Sequence, residues 1–308
     1  MIHPVTVLPV PAMGAEDVVV TDNGLVYTGT EDGRVFCLRP DGSRVEAVGD
    51  TGGRPLGLEL LPDGRLLVAD AREGLLAMDT STGQVERLVD SVDGHRMVFC
   101  NNAAVASSGD IWFSDSSTRF GIDRWKDDFV QDTRTGRLFC RRTDGTVEKH
   151  LDGLAFANGV ALAADESYVA VAETGARTVV RLWLSGDRAG RRDFLCEDLP
   201  GYPDNIARGS DGLIWVTIAS PRDPVAEALQ RGPKPLRRMV TKVPEALQPK
   251  PKRTVRVLAV DDAGDVVHDV SGDASGFHMV TGVREHDGTL WLGSLHEPAV
   301  AAIRLPGL

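Results

Sequence analysis

Features that mark several common classes of protein are scarce or missing in this sequence of 308 residues. Helical periodicity is scarce, and no stretch approaches the ~18 uninterrupted apolar residues of a transmembrane helix, so we predict no membrane span. Basic residues are outnumbered, with 34 Lys and Arg against 45 Asp and Glu, which gives a net charge of −11. Nucleic-acid binding requires a basic surface and is therefore not expected. An acidic balance is compatible with attracting a cation.

Cysteine is also rare. Cys37, Cys100, Cys140 and Cys196 are scattered, with no Cys-x-x-Cys pair. Each lies in or beside an apolar run, so we predict buried, reduced thiols instead of a disulfide framework or a zinc site. The N-terminal residues lack the basic start and the long apolar core of a signal peptide. Together these observations predict a cytoplasmic location.

Two catalytic motifs are missing as well. No Gly-x-Ser-x-Gly elbow occurs, which argues against a serine hydrolase of the α/β type. No Gly-x-Gly-x-x-Gly or Walker-type glycine loop occurs, which argues against phosphate binding of those kinds.

Tight turns and short apolar strands, by contrast, recur along the whole chain. Thirty-three glycines are present, many in Asp-Gly pairs between apolar runs, and this is the strongest short-range signal for a hairpin. Six such units occur at a spacing of ~40–50 residues wherever no insertion intervenes, which is typical of a propeller blade. We predict an all-β fold: one six-bladed β-propeller domain over residues 1–308, with four-stranded antiparallel blades around a central tunnel. A seven-bladed propeller is the nearest rival, but we find no seventh unit.

Two further expectations concern the assembly of the blades. The segment Val5–Leu8 is expected to pair with the last blade and close the ring, which would remove an exposed sheet edge. Trp112, Trp215 and Trp291 occupy equivalent strand positions and are expected to pack between blades.

Two insertions interrupt the repeat. Residues 116–135 form a loop in the third unit, and residues 221–254 form a larger, proline-rich insertion in the fifth. From Pro221 to Arg256 the chain holds ten Lys or Arg against three Asp or Glu. Within it, Val225–Gln230 and Leu236–Val243 are predicted to form short helical turns. The insertion could be a lid over the tunnel mouth, a solvated loop, or a contact with a membrane surface or partner.

The most informative pattern is a set of four polar residues at one position in four units. Each lies seven residues before a tight-turn position; they are Glu16, Asn101, Asn158 and Asp204. Equivalent positions in a repeat protein are equivalent in space, so the four side chains should converge on the tunnel axis. All four carry hard oxygen donors, and two are carboxylates, a combination that suits Ca²⁺ better than Zn²⁺. Leu56 and Val280 occupy the same position in the second and sixth units.

Parts of the sequence resemble a known family. Residues 151–217, with Asn158-Gly159-Val160 and Pro203-Asp204-Asn205, are similar to strictosidine synthase-like proteins, and so are residues 285–295. The wider six-bladed superfamily includes gluconolactonases, paraoxonases and diisopropyl fluorophosphatase. In those calcium-dependent hydrolases, a tunnel Ca²⁺ is held by a Glu, one or two Asn and an Asp. Glu16, Asn101, Asn158 and Asp204 match that set residue by residue, with Asn205 beside Asp204 as in paraoxonase.

The resemblance implies hydrolysis of a lactone or small ester, with Ca²⁺ or another divalent cation polarising the carbonyl group. Asp204 would be the general base on water or a direct nucleophile, and Asn101 and Asn158 would orient the metal and the substrate. A purely structural Ca²⁺ is a further reading. Substrate identity and oligomeric state are left open.

Two other functions remain possible. The plant strictosidine synthases need no metal and condense an amine with an aldehyde by means of a glutamate, for which Glu285 is the candidate here. Alternatively, the propeller is a non-catalytic scaffold that uses the basic insertion as its contact surface.

Three residues complete the candidate site. His278 lies two residues before Val280, so strand alternation would place both on the tunnel side, where His278 could act in catalysis or simply line the wall. Asp115 follows the second strand of the third unit and could edge the tunnel. We expect Asp115, Asn101 and Asn205 to contact the substrate, a small lactone or ester.

Overall fold

The computed structural model of the chain describes residues 2–241, 243 and 252–305. Part of the predicted insertion, residues 242 and 244–251, lies outside the described residues. Strands dominate the described chain and form six blades of four antiparallel strands, one of which gains a fifth, parallel strand, together with a separate two-stranded hairpin. The predicted six-bladed β-propeller is confirmed. In each blade the first strand faces the tunnel, and neighbouring first strands contact each other around the ring.

The first half of the chain builds two strands of later blades and then blades 1 to 3. Strands β1 and β2 are Ile2–His3 and Thr6–Pro9. Blade 1 holds β3 to β6: Val18–Val20, Val26–Gly29, Arg34–Leu38 and Val45–Asp50. Blade 2 holds β7 to β10: Pro55–Leu60, Leu66–Asp70, Gly74–Met78 and Val85–Val89. A small hairpin of β11 and β12 follows at Ser91–Val92 and His95–Arg96. Blade 3 holds β13 to β16: Cys100–Val105, Ile111–Asp115, Gly136–Arg141 and Val147–Leu154.

The second half of the chain builds blades 4 to 6. Blade 4 holds β17 to β20: Ala157–Leu162, Tyr168–Glu173, Thr178–Trp183 and Arg192–Cys196. Blade 5 holds β21 to β24: Gly201–Arg208, Ile214–Pro221, Val255–Val260 and Val266–Gly272. Blade 6 holds β25 to β27: Val280–His286, Thr289–Ser294 and Ala299–Arg304, with β2 as its outermost strand.

Turn chemistry explains why each blade is a meander of hairpins. In blade 2, for example, Gly64 has a φ of +85°, which only glycine adopts at little cost. The Asp63 carboxylate before it accepts a hydrogen bond from the Arg65 backbone N–H at 3.0 Å and closes the turn. Short apolar strands flank such turns, so consecutive strands pair with each other and each blade is a local unit.

The hydrophobic core is divided around the ring. Six clusters of buried side chains each lie between two neighbouring blades. Trp112, Trp215 and Trp291 belong to three of these clusters, as predicted. The four cysteines are buried and unpaired. Because the packing lies between blades, the tunnel itself is free to hold polar side chains.

The N-terminal segment closes the ring. Strand β2 pairs antiparallel with β27 of blade 6, with Leu8 opposite Val300, so the predicted closure is observed one residue further along the chain. Strand β1 also pairs in parallel with β24 of blade 5, with Ile2 opposite Ser271.

Both insertions contain helices. A 3₁₀ turn at Ile122–Arg124 leads into helix α1, Trp125–Gln131. The larger insertion contains α2, Pro224–Arg231, and α3, Lys234–Val240, so its second helix ends three residues before the predicted Val243. A further 3₁₀ turn spans Gly186–Arg188. The three α-helices contact one another. None of the helices within the described ranges has the length and apolar character needed to cross a bilayer.

Ring closure gives a direct test of the packing between blades 6 and 1. Leu8 is 7% exposed and packs in that cluster, whereas the adjacent Val7 is 36% exposed. Leu8→Ala should lower the free energy of unfolding by ~2–5 kcal/mol, because it leaves a cavity in the core. Val7→Ala should change it by no more than ~0.5 kcal/mol. Urea unfolding of both variants measures this, and equal effects would contradict the closure by β2.

Candidate metal and active site

The first strands of the blades are irregular at the level of the predicted metal ligands. The pairing register with the second strand shifts across Asn101 and Asn102 in blade 3, across Asn158 in blade 4, and across Asp204 and Asn205 in blade 5. Such β-bulges re-aim side chains and suspend the alternation of a regular strand. Two consecutive residues of one strand can therefore both be buried at the tunnel, as Asn101 and Asn102 are.

Hydroxyl groups on the second strands stabilise these irregular segments. Ser114 Oγ donates to the carbonyl oxygen of Asn102 at 3.4 Å, and Thr217 Oγ1 donates to that of Asn205 at 3.0 Å. Each hydroxyl satisfies a buried carbonyl group close to the tunnel, where an unpaired one would be costly. The ligand-bearing backbone is thus held by side chains of its own blade.

Close approach of neighbouring first strands brings the candidate ligands together. A Cβ atom added at Gly159 would lie 2.6 Å from the Cα atom of Asn205 and 2.1 Å from the backbone nitrogen of Ile206. Only glycine permits that approach. It places Asn158 of blade 4 next to Asp204 and Asn205 of blade 5.

Four of the predicted residues form one buried cluster. The amide nitrogen of Asn205 donates to both carboxylate oxygens of Glu16, at 3.2 and 3.4 Å, which joins blade 5 to the segment before blade 1. A hydrogen bond from Asn158 lowers the pKa of Asp204, and the charge of Asp204 raises the pKa of Glu16. Glu16 is 3% exposed and Asn158 is 2% exposed. Asp204 keeps part of its surface accessible.

Asn101 reaches the cluster from blade 3. Its amide nitrogen donates to Ser116 Oγ at 2.9 Å, and Ser116 donates in turn to the carbonyl oxygen of Ala157, the residue before Asn158. The Asn158 amide nitrogen donates to Thr174 Oγ1 at 3.1 Å. Each asparagine side chain is therefore oriented by a hydroxyl partner.

The amide oxygens of the same asparagines are left without partners. Asn101 Oδ1, Asn158 Oδ1 and Asn205 Oδ1 are fully buried and make no hydrogen bond. A buried acceptor without a partner is unfavourable unless something absent from the polypeptide satisfies it. Three such oxygens occur on three neighbouring blades. Together with the carboxylates, they are of the type that binds hard cations.

The balance of acidic and basic groups in the tunnel also favours a cation. Burial, and then repulsion from Asp204 and Asp17, raises the pKa of Glu16 well above its usual value. Burial raises the pKa of Asp204 to about 8, opposed by hydrogen bonding from Asn158, and raises that of Asp17 to about 7. Arg54 is the main cation that opposes the shift of Glu16. Acidic groups thus outweigh basic ones at this point of the tunnel, and a divalent cation would correct the balance.

The donor set fits Ca²⁺ by its chemistry. Glu16, Asn101, Asn158 and Asp204 could supply four oxygen ligands, two of them charged, and Asn205 Oδ1 is a fifth buried oxygen nearby. Among residues 2–241, 243 and 252–305, no three His, Cys, Asp or Glu side chains cluster as a metal site.

A cavity of about 420 Å³ opens above Asp204. Its walls come from α1, α2 and α3 together with Tyr202, Ala219 and Met279 near the tunnel. Phe129 of α1 meets the ring of Tyr202 edge-on, with 4.9 Å between centroids. The two insertions thus form one roof over the partly exposed carboxylate.

Specific contacts fasten this roof. Asp223 caps α2 by accepting hydrogen bonds from the Val225 and Ala226 backbone N–H groups. Gln230 of α2 donates to the carbonyl oxygen of Phe129 at 2.9 Å, and Arg237 of α3 donates to that of Gln131 at 3.0 Å. These bonds tie the helices of blade 5 to the end of α1.

Helix α2 is also tied to blade 4. The buried carboxylate of Glu227 accepts from Arg222 at 2.7 Å and lies 3.1 Å from the guanidinium group of Arg177. These ion pairs fix helix α2 to the propeller. Removing either arginine would leave the buried negative charge of Glu227 less well compensated, which is unfavourable.

The structure places His278 and Asp115 elsewhere. His278 Nδ1 contacts Glu297 Oε1, its Nε2 lies 3.4 Å from Arg253, and it does not line the cavity. The alternation expected from Val280 fails because Met279 has a φ of +53° and the strand begins only at Val280. Asp115 is fully buried and pairs with Arg137 of the adjacent strand.

Glu285 is engaged far from the cluster. One carboxylate oxygen accepts from the backbone N–H and the hydroxyl of Ser210, both at 2.7 Å. The other accepts from the Gly288 N–H at 2.8 Å. These bonds tie the turns of blades 5 and 6 together, and Glu285 does not line the cavity above Asp204.

Sequence reasoning missed Asp17, Asn102 and Arg54. Asp17 accepts a hydrogen bond from the Leu58 N–H at 3.0 Å and lines a second cavity of about 350 Å³. The polar doublets Glu16-Asp17, Asn101-Asn102 and Asp204-Asn205 were a usable signal, because paired polar residues at one repeat position indicate a bulge. No pattern in the sequence marks Arg54, which is buried and donates to the carbonyl oxygen of Gly14 at 2.9 Å.

The fold and the site define a six-bladed propeller whose tunnel holds acidic and amide side chains from several blades. The family model described as "SMP-30/Gluconolactonase/LRE-like region" matches residues 15–230. The chain belongs to this family.

Relatives by sequence carry names of different kinds. The adipocyte plasma membrane-associated protein of Rattus norvegicus is 33% identical over 316 aligned residues, which cover 94% of this chain and 83% of the relative. Strictosidine synthase-like protein 10 of Arabidopsis thaliana is 35% identical over 88% of this chain and 74% of its own.

Solved structures share the fold at low identity. A gluconolactonase from Xanthomonas campestris has a TM-score of 0.71 at 17% identity and covers 98% of this chain and 89% of its own. The calcium-binding protein regucalcin from Agrobacterium tumefaciens has a TM-score of 0.67 at 15% identity, over 98% of this chain and 95% of its own.

The buried carboxylates predict how stability depends on pH when metal ions are chelated. A carboxyl group whose pKa is raised by folding contributes stability below its unfolded pKa of ~4, and this contribution is lost as the pH rises through the folded value. The stabilising contribution of Asp204 is therefore lost between about pH 4 and about pH 8. In chelated buffer, Asp204→Asn should match the wild type near the lower end of this window and exceed it by ~1–4 kcal/mol near the upper end, since the amide cannot ionise.

The exposed turn residue of the same blade provides a control. Asp211 accepts a hydrogen bond from the Leu213 N–H, a role that Asn can keep, so Asp211→Asn should follow the wild-type curve at every pH. Chemical denaturation across the pH range measures all three proteins. Parallel curves for Asp204→Asn and the wild type would contradict a buried carboxyl group with a raised pKa.

Proposed function

We propose that the chain is a Ca²⁺-dependent hydrolase of a lactone or small ester. The observation that carries the proposal is the combination of two carboxylates, Glu16 and Asp204, with three buried amide oxygens that lack partners, beside a roofed cavity that Asp204 lines. When bound, the cation would polarise the substrate carbonyl and stabilise the negative charge that develops on its oxygen. Another divalent cation of similar ligand preference could take the same place.

The ligands in this proposal are Glu16, Asn101, Asn158 and Asp204. Two carboxylates balance the charge of a divalent cation, so the loaded site would carry little excess charge into the low-dielectric tunnel. The hydroxyl partners of Asn101 and Asn158 would keep each amide oxygen turned to the same point without reorganisation. Such second partners commonly hold ligand orientation at metal sites.

Asp204 would carry the chemical step, because it is the ligand that also lines the cavity. It could accept a proton from a water molecule that attacks the carbonyl carbon. Alternatively, its own oxygen could attack that carbon, displace the alkoxide of the ester bond and form a mixed anhydride, which water would then hydrolyse to release the acid and restore the carboxylate. Asn205 would hold Glu16 in place through its amide nitrogen. The roof of α1, α2 and α3 would act as the lid suggested by the insertion and limit the access of bulk water.

The comparisons support this choice among the alternatives. Structural relatives include one named a gluconolactonase and one named a calcium-binding protein. The metal-free condensation considered above lacks its candidate residue in the cavity, because Glu285 is bonded to Ser210 and Gly288. A scaffold role would not explain why three amide oxygens are buried without hydrogen-bond partners.

The proposal is tested by measuring hydrolysis with and without a chelator, and in variants of Asp204 and Asp211. A panel of lactones and aryl esters should be hydrolysed, the activity should vanish on chelation, and added Ca²⁺ should restore it. Asp204→Asn should lower kcat/KM by ~10²–10⁴, the range for losing a catalytic proton acceptor. The control Asp211→Asn in the exposed turn of the same blade should keep the wild-type rate.

Three results would overturn the proposal. Hydrolysis that survives chelation would exclude the cation mechanism, and full activity of Asp204→Asn would exclude the assigned carboxylate. Absence of hydrolysis across the panel, by a chain that does bind Ca²⁺, would favour a structural ion and a scaffold role.

A further inference from the structure

We infer that the substrate of this site carries an apolar group beside the ester bond, a hydrocarbon chain or an aromatic ring, and that polyhydroxylated sugar lactones are poor substrates. The inference rests on the proposed function and names the substrate class of the same site. It comes from the composition of the cavity, the partners of its polar groups and the surroundings of the candidate metal ligands around the tunnel.

The cavity above Asp204 has mostly apolar walls. Phe129 of α1, Leu229 of α2, Val240 of α3 and Met279 before blade 6 face it. Its volume of about 420 Å³ lies in the lower part of the ~300–1,000 Å³ range of small-molecule sites. An apolar group of modest size would fill this space and leave the ester bond near the carboxylate.

Most polar groups of the cavity wall already have partners. Asp223 accepts from two backbone N–H groups of α2, and Asp127 pairs with Arg124. Thr241 donates to the carbonyl oxygen of Arg238 at 3.1 Å, and Thr174 accepts from Asn158. A ligand with many hydroxyl groups would lose its water there and find few groups to replace it, which disfavours binding.

The apolar surface continues from the cavity down to the candidate metal ligands around the tunnel. Leu56 occupies the blade 2 position equivalent to the metal ligands and packs with Phe99 and Phe156. Trp125 of α1 packs against this cluster and also lines the cavity. Hydrocarbon side chains therefore run from the tunnel to the roof beside the candidate metal ligands.

The first experiment compares γ-lactones with alkyl side chains of increasing length and glucono-δ-lactone. We expect kcat/KM to rise about fourfold per added methylene until the cavity is full, as burial of hydrocarbon predicts. Glucono-δ-lactone should be hydrolysed more slowly than every alkyl lactone in the series.

A matched pair of variants on α2 assigns the effect to the cavity. Leu229 faces the cavity and Ala228 is exposed on another side of the same helix. Leu229→Gln should flatten the dependence of kcat/KM on the length of the alkyl chain. Ala228→Gln should keep the full chain-length dependence.

A binding measurement separates this inference from the proposed function. Alkyl-substituted lactams resist hydrolysis and can be followed through the fluorescence of Trp125, with Trp125→Phe to identify its signal. Affinity that rises with alkyl length supports the inference even if no lactone is hydrolysed. Affinity or hydrolysis that is independent of alkyl length, or a preference for glucono-δ-lactone, would overturn it, whether or not hydrolysis requires Ca²⁺ and Asp204.

Discussion

An excess of buried acidic groups along the tunnel is the constraint on which the rest of this structure depends. Burial disfavours ionisation of Glu16, Asp17 and Asp204, and the pKa of each is raised for that reason first. A stable fold does not need such a cluster, and apolar residues at the same positions would be less costly. Leu56 and Val280 show that the ring accepts them. The acidic positions therefore support the proposed cation and its role in catalysis.

The propeller tolerates acidic side chains on its axis because its hydrophobic packing lies between blades and not on the axis. Bulges in the first strands turn consecutive polar residues toward the tunnel, and Gly159 lets two of those strands approach closely. Hydroxyl groups on the second strands bond backbone carbonyl groups at the bulges. Repetition of one blade plan thus places a candidate ligand on each of several blades.

The fold was predictable from sequence because each blade is a local unit with its own turns, so repeated Asp-Gly and apolar patterns mark strands directly. The positions of Glu16, Asn158 and Asp204 followed from the same repeat. The surroundings of His278 did not follow, because a left-handed backbone at Met279 interrupts the alternation on which the prediction relied. Nor did those of Asp115, whose partner Arg137 lies beyond an insertion of some twenty residues. The cavity roof depends on contacts between helices from two distant insertions, which no local pattern encodes.

A crystal structure of the chain grown with Ca²⁺ tests the central claim most directly. The account predicts one ion in the tunnel, with oxygens of Glu16, Asn101, Asn158 and Asp204 among its ~6–8 ligands at ~2.3–2.6 Å. The three amide oxygens that lack partners would then be explained by the ion or by water bound to it. A tunnel that holds no ion at saturating Ca²⁺, or an ion held only by other residues, would contradict the account.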